Sequence, residues 1–274
     1  EAVDQFHRFV ETLTDQIGRP VRHCFLEFTD PDMKTGLADA AASAGEGGEV
    51  IVAPLVLSAG GHQKNDVAAG VQWAREQFPR VVFRQGTPVG PHAKLVDLLD
   101  LRITEALDGV PDSVAEEETC VLIAGHGSRD PDSNSTLAQT AYLLFEGRRY
   151  RSVEYAFLVA ARPDIAQGVH RAAMLGARQL VVAPYLLFAG SADRRIRRIA
   201  SRAAAELNLH TLHADPLGSH PLLLDVVAQR FQEAADGTAA MVCDICKYRW
   251  PMAGHEDQVG EPQTRLPATG QPPG

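Results

Sequence analysis

The sequence predicts an α/β fold with an internal duplication: two similar lobes, each a parallel sheet of about four strands flanked by helices. Three observations carry that expectation. The first is a repeat. Val52-Ala53-Pro54-Leu55-Val56-Leu57-Ser58-Ala59-Gly60 returns as Val182-Ala183-Pro184-Tyr185-Leu186-Leu187-Phe188-Ala189-Gly190, and Phe25-Leu26-Glu27 answers to Phe157-Leu158-Val159. Pro88-Val89-Gly90-Pro91-His92 answers in turn to Pro216-Leu217-Gly218-Ser219-His220. The matches keep one order and a spacing of about 130 residues, far longer than a solenoid unit. The second observation is that short apolar runs alternate with amphipathic stretches, the pattern of strands buried on both faces and joined by helical crossovers. The third is size: 274 residues, 45% hydrophobic, suffice for two cores.

In chain order, a helix is expected over 1–16 and strands over 23–28, 49–57 and 80–85. Helices are expected over 63–77 and 93–107. The second copy should run as a strand at 120–124, a helix from about residue 132, and strands at 153–159, 179–187 and 209–214, with helices over 192–207 and 221–235. The link between copies is expected at 109–118, which holds a proline and three consecutive glutamates. This gives a first lobe over 1–112, a second over 113–238, and a Cys-x-x-Cys segment with a flexible tail over 239–274, the Pro- and Gly-rich stretch 260–274 being the tail proper. Helix 1–16 aligns with the helix after Asp132, which puts the counterpart of His126 about five residues before Glu1. The first lobe is therefore expected to lack its first strand, with a Gly/His/Ser-rich loop directly upstream of Glu1.

Composition narrows the class. With 35 acidic residues against 26 basic ones the formal charge is −9, the wrong sign for tracking phosphates, so no nucleic-acid partner is expected. No apolar run approaches the ~20 residues of a membrane span, and no signal-peptide pattern follows Glu1, so no membrane partner is expected either. Four cysteines make no disulfide scaffold, which suits a reducing, cytoplasmic location.

The candidate site follows from the topology, since ligands of open parallel sheets sit outside the carboxyl ends of the strands. His62, in Ser58-Ala59-Gly60-Gly61-His62, lies just past such a strand on a glycine-permissive loop, and Glu27 ends the neighbouring one. An imidazole beside a carboxylate can ligate a metal and accept a proton. Helix capping by His62 and a solvated Glu27 is the alternative. Comparing the copies favours the site: position 62 becomes Ala192 or Ser191 and position 27 becomes Val159, while the apolar frame persists. One working site on a duplicated scaffold would look like this. Ser58, Gly60 and Gly61 are candidate substrate contacts. His126 and Ser128, in Gly125-His126-Gly127-Ser128-Arg129, are candidates for holding a carboxylate-rich ligand, because flanking glycines let backbone N–H groups approach an anion. A conformationally demanding turn is the alternative there. His92 and His220 recur at matching places before helices and read as structural. Lys94, Arg194, Arg195, Arg197 and Arg198 could attract an anionic macrocycle, although a solvated helix face explains them as well.

These motifs, with Asp130-Pro131 and Met241-Val242-Cys243-Asp244-Ile245-Cys246-Lys247-Tyr248-Arg249, resemble the long form of sirohydrochlorin chelatase, the CbiX/SirB group of class II chelatases. The resemblance covers the chain apart from its tail. It implies two lobes facing a tetrapyrrole cleft, insertion of cobaltous or ferrous ion into sirohydrochlorin for cobalamin or siroheme synthesis, and a metal-binding, proton-accepting role for the residue at His62. A tetrapyrrole- or metal-binding carrier without turnover is the second reading. Cys243 and Cys246 form a half-site for zinc or an iron–sulfur cluster, or a pair of unliganded thiols. The resemblance implies a four-iron four-sulfur cluster. Such a cluster wants four thiolates, and a homodimer bringing two tails together supplies them.

Overall fold

The computed structural model describes residues 2–110 and 114–261. The anticipated tail therefore lies outside the described residues except for Gly260 and Glu261, as do three residues of the link at 109–118. The elements are α1 (Ala2–Ile17), α2 (Met33–Ala44), β1 (Glu49–Val52), a π-helical turn (His62–Val67) running into α3 (Ala68–Gln77), β2 (Val82–Gln85) and α4 (Ala93–Asp108). Then follow β3 (Thr119–Gly125), α5 (Pro131–Phe145), β4 (Ser152–Phe157), α6 (Ile165–Met174), β5 (Gln179–Pro184), α7 (Ser191–Glu206), β6 (His210–His213) and α8 (Pro221–Ala235).

All sheet pairings are parallel. One sheet has the order β4-β3-β5-β6, the other is the pair β1-β2. Every residue of β3 and β5 is buried, which is why both read as unbroken apolar runs. Their side chains form a core with Leu122, Leu180, Val182, Ile165 and Ile196 at or near zero exposure. Each such aliphatic side chain contributes roughly 1.5–3 kcal/mol through burial. Helix α6 approaches β3 closely at Gly168, where an added Cβ would lie 2.7 Å from a Leu122 methyl. The smaller sheet packs Val71 and Phe83 with Met33 and Leu37 of α2.

The strand expected at 23–28 does not form; only a single bridge joins Phe25 to Asp32. Its counterpart β4 is held by its ladder with β3, and no strand corresponding to β3 exists among the described residues of the smaller sheet. The turn after it is nonetheless the same in both copies. Phe157 bridges Asp164 as Phe25 bridges Asp32, and both aspartates cap the following helix, accepting from Thr35 N (2.8 Å) and Gln167 N (3.0 Å). Phe28 and Ala160 occupy matching left-handed positions, φ 62° and 60°. His92 and His220 likewise accept from the backbone N–H groups of Lys94 (3.1 Å) and Leu222 (3.2 Å), a shared capping role.

The compact units cross the repeat. One comprises 1–9 and 90–226, the other 10–89 and 227–274. Helix α4, encoded by the first copy, packs on β5 and β6 of the four-stranded sheet. The last turns of α8, encoded by the second copy, lie over Gly86 beside the two-stranded sheet, with Ala234 Cβ 3.6 Å from where a Gly86 Cβ would stand. At the start of the chain, Phe6 and Phe9 set their rings edge-on to Phe188. Each unit thus takes a helix from both copies of the repeat.

Candidate functional site

Within the second unit, β1 leads through Pro54 to a loop that ends at His62. Gly60 N donates to Ser58 O (2.9 Å) and Lys64 N to Gly60 O (3.0 Å), which closes the loop onto the first turn of the helix. That turn is π-helical over His62–Val67, whereas α7, at the corresponding place in the other copy, is α-helical from Ser191. Single π turns inside helices recur at functional sites. Beyond its chain neighbours, a Cβ built on Gly61 would meet the Asn65 amide nitrogen at 3.8 Å among the described residues, an ordinary van der Waals distance.

His62 is half exposed, and its Nδ1 lies 2.7 Å from Asp66 Oδ2, whose side chain is 20% exposed. The carboxylate accepts a hydrogen bond from Nδ1–H of the neutral ring, which fixes the tautomer and leaves the Nε2 lone pair for a metal or an incoming proton. The Asp66 hydrogen bond raises the His62 pKa, burial opposes it, and the charges of Asp66 and then Glu27 raise it further. Glu27 is exposed, and its charge reaches the imidazole. Ser58, Gly60, Gly61, His62 and Glu27 are therefore assembled in one unit. Among the described residues no group of three or more His, Cys, Asp or Glu converges on one metal position.

Sequence reasoning passed over Asp66, although its spacing of i+4 from His62 is the signal of a shared helix face. It also passed over Phe28, which follows Glu27 and stands 93% exposed on left-handed backbone. Such backbone costs a non-glycine residue about 1 kcal/mol or more, and an exposed ring returns none of that by packing. Ala160 shows that the turn needs this conformation whatever side chain it carries.

His126 and Ser128 belong to the other unit. His126 is exposed at the end of β3 with Nδ1 3.1 Å from Gly127 O. Ser128 is committed to its own loop: its N–H donates to Asn134 Oδ1 (3.0 Å), its carbonyl accepts from Asn134 Nδ2 (2.8 Å), and its hydroxyl accepts from Asp130 N (3.0 Å). Two of the basic candidates are also committed, Lys94 to Asp225 (2.8 Å) and Arg197 to Asp193 (2.9 Å). Cys243 and Cys246 share one turn, Cys246 N donating to Cys243 O (3.2 Å), with Cys246 6% exposed. Cys24 is half-buried in the second unit, and Cys120 is buried in β3 of the other.

Because the Asp66 hydrogen bond holds the His62 pKa up, Asp66→Asn should move the acid limb of the rate–pH profile to lower pH. The ring must be neutral to ligate or accept a proton, and a lower pKa keeps it neutral further into acid. Steady-state rates across pH check this; an unmoved limb assigns that titration to another group.

The model of the CbiX family matches residues 1–106 and 120–234. A sirohydrochlorin cobaltochelatase from Priestia megaterium is 33% identical over 238 residues, covering 86% of this chain and 76% of the relative. A sirohydrochlorin ferrochelatase from the same organism is 29% identical, covering 84% of each chain. Among solved structures, SirB from Bacillus subtilis with Fe3+ superposes with a TM-score of 0.71 at 26% identity, covering 86% of this chain and 92% of that one.

Proposed function

Since the chain belongs to the CbiX family, we propose that it inserts a divalent metal, cobaltous or ferrous, into sirohydrochlorin. The observation that carries the proposal is the His62–Asp66 pair beside Glu27, on an open loop at a strand end. Insertion exchanges two pyrrole N–H protons for one divalent ion, so it needs a base and a weak metal ligand together. His62 Nε2 can serve as either in turn, with Asp66 stabilising the imidazolium once the ring takes a proton. Glu27 favours that same cationic state through its charge and, being exposed, can pass the proton to water. A metal that is cargo must leave with the product, so a weak ligand suits the step better than a tight cage. The exposed ring of Phe28 offers an apolar face to a flat macrocycle. No helix is long and apolar enough to cross a membrane among the described residues.

The test is a steady-state assay following the absorbance of sirohydrochlorin with cobalt and with iron. Accelerated insertion supports the proposal; macrocycle binding without acceleration favours a carrier, and no binding overturns both.

The Cys243/Cys246 pair fits half of a cluster site, since no third thiolate joins it among the described residues. A four-iron cluster therefore requires a second copy of the chain, and the proposal extends to a homodimer holding one such cluster through four thiolates. Iron and sulfide content of anaerobically purified protein, with its mass in solution, decides this. A monomer free of iron returns the pair to unliganded thiols.

A further inference from the structure

The segment that carries the two cysteines does more than present thiols: it is docked against the turn that presents His62. From that turn, the wholly buried Gln63 donates through Nε2 to Gly86 O (3.1 Å) and towards Met241 Sδ (3.8 Å). Two residues on, Asn65 Nδ2 donates to the Tyr248 hydroxyl (3.1 Å). Gln63 and Asn65 thus face the segment, while His62 and Asp66 pair with each other.

The segment itself is anchored. Cys246 and Lys247 are buried, Arg249 N and Trp250 N both donate to Cys246 O (2.9 Å each), and Gly260 N donates to Tyr248 O (3.1 Å). The Lys247 ammonium stands 5.2 Å from the centre of the Tyr248 ring. Tyr248 is consequently a fixed point against which the Asn65 amide rests. Among the described residues the buried Asn65 and Gln63 side-chain oxygens have no hydrogen-bond partner, so losing the nitrogen's partner as well would leave the Asn65 amide without a partner in place of water.

A π turn has one more residue per turn than the α-helix it would relax into, and one residue of register is about 100° of rotation. Relaxation would swing His62 off the open side of the loop. We propose that Tyr248, assisted by Met241, is a positioning residue for the metal-insertion step: its hydroxyl, by accepting the Asn65 amide proton, holds the His62 turn in its π register. This rests on the assignment of His62 as metal ligand and base.

The test uses the full chain. Tyr248→Phe should lower kcat about tenfold while KM for sirohydrochlorin stays within about twofold, because a displaced base slows the step without removing macrocycle contacts. Asn65→Ala should do the same, and the double variant should lose no more than either single one. With cobaltous ion alone as the probe, the visible spectrum of the bound ion should change in Tyr248→Phe, while circular dichroism and melting temperature stay near the parent's. Trp250→Phe, an exposed neighbour, should match the parent. A Tyr248→Phe rate within twofold of the parent, additive losses in the double variant, or losses that track a lowered melting temperature would each overturn the inference. His62→Ala, assayed alongside, separates the two readings: normal turnover there removes the site itself, whereas an inactive His62→Ala with a normal Tyr248→Phe removes only the positioning role.

Discussion

Replacing His62 by alanine should lower the rate of metal insertion by about a hundredfold or more while leaving the melting temperature where it is. The imidazole is half exposed and pairs with Asp66, and the matching helix of the other copy folds with Ser191 and Ala192 at its start. Little packing is therefore lost. What disappears is the group proposed both to hold the ion and to take the proton that the ion displaces. Glu27→Gln should slow the reaction far less, since its exposed carboxylate acts on the imidazole through its charge and need not touch the ion. Rates of both variants, measured with cobalt and with iron, check the order. A His62→Ala enzyme at near-normal rate would move the chemistry to the other copy, with His126 the next residue to remove.

The largest loss of stability is expected for Gly127→Ala. Gly127 has φ +91°, outside the range an alanine adopts comfortably, and a Cβ there would stand 2.0 Å from the carbonyl oxygen of Val159. That oxygen belongs to backbone whose own N–H donates to His126 O (2.9 Å), so it cannot swing aside as a side chain could. Strain and forced displacement together should cost about 3 kcal/mol, or roughly 6–12 °C in melting temperature. Gly61→Ala is the natural control, with φ −53° and open space around it, and should melt near the parent. A Gly127→Ala protein as stable as the parent would mean that the β3–α5 loop can be rebuilt locally. The glycine that suggested anion contact from sequence is thus demanded first by a close backbone approach.

Much of the architecture was legible because parallel strands buried on both faces leave unbroken apolar runs, as Cys120–Ala124 and Leu180–Ala183 do, and because duplication wrote the same runs twice. His62 stands out in the sequence through its loss in the second copy. Other features leave no such trace. A π turn and an α-helix share nearly the same apolar periodicity over six residues, so the start of the 63–77 stretch read as ordinary helix. Residues 23–28 have strand composition, yet a strand also needs a neighbour, and none among the described residues supplies the ladder that β3 gives to β4. The amphipathic pattern of α4 shows that one face is buried without saying which sheet buries it. Tyr248 carries no motif of its own; its meaning depends on a hydrogen bond to a residue 183 positions earlier in the chain.

The exchange of helices between the two units changes what a backbone break would do. Cutting the chain once between Val110 and Val114 separates the two copies as written in sequence, yet neither product holds a complete unit. The amino-terminal product keeps α4, whose buried Leu95, Leu98, Leu99 and Ile103 belong with the sheet on the other product. The carboxyl-terminal product keeps the turns of α8 that cover Gly86 on the first. Covalent continuity at that point is then dispensable for association: the nicked protein should migrate as one species under native conditions and come apart only when unfolded. Two separately made halves would complement each other rather than fold as two small domains.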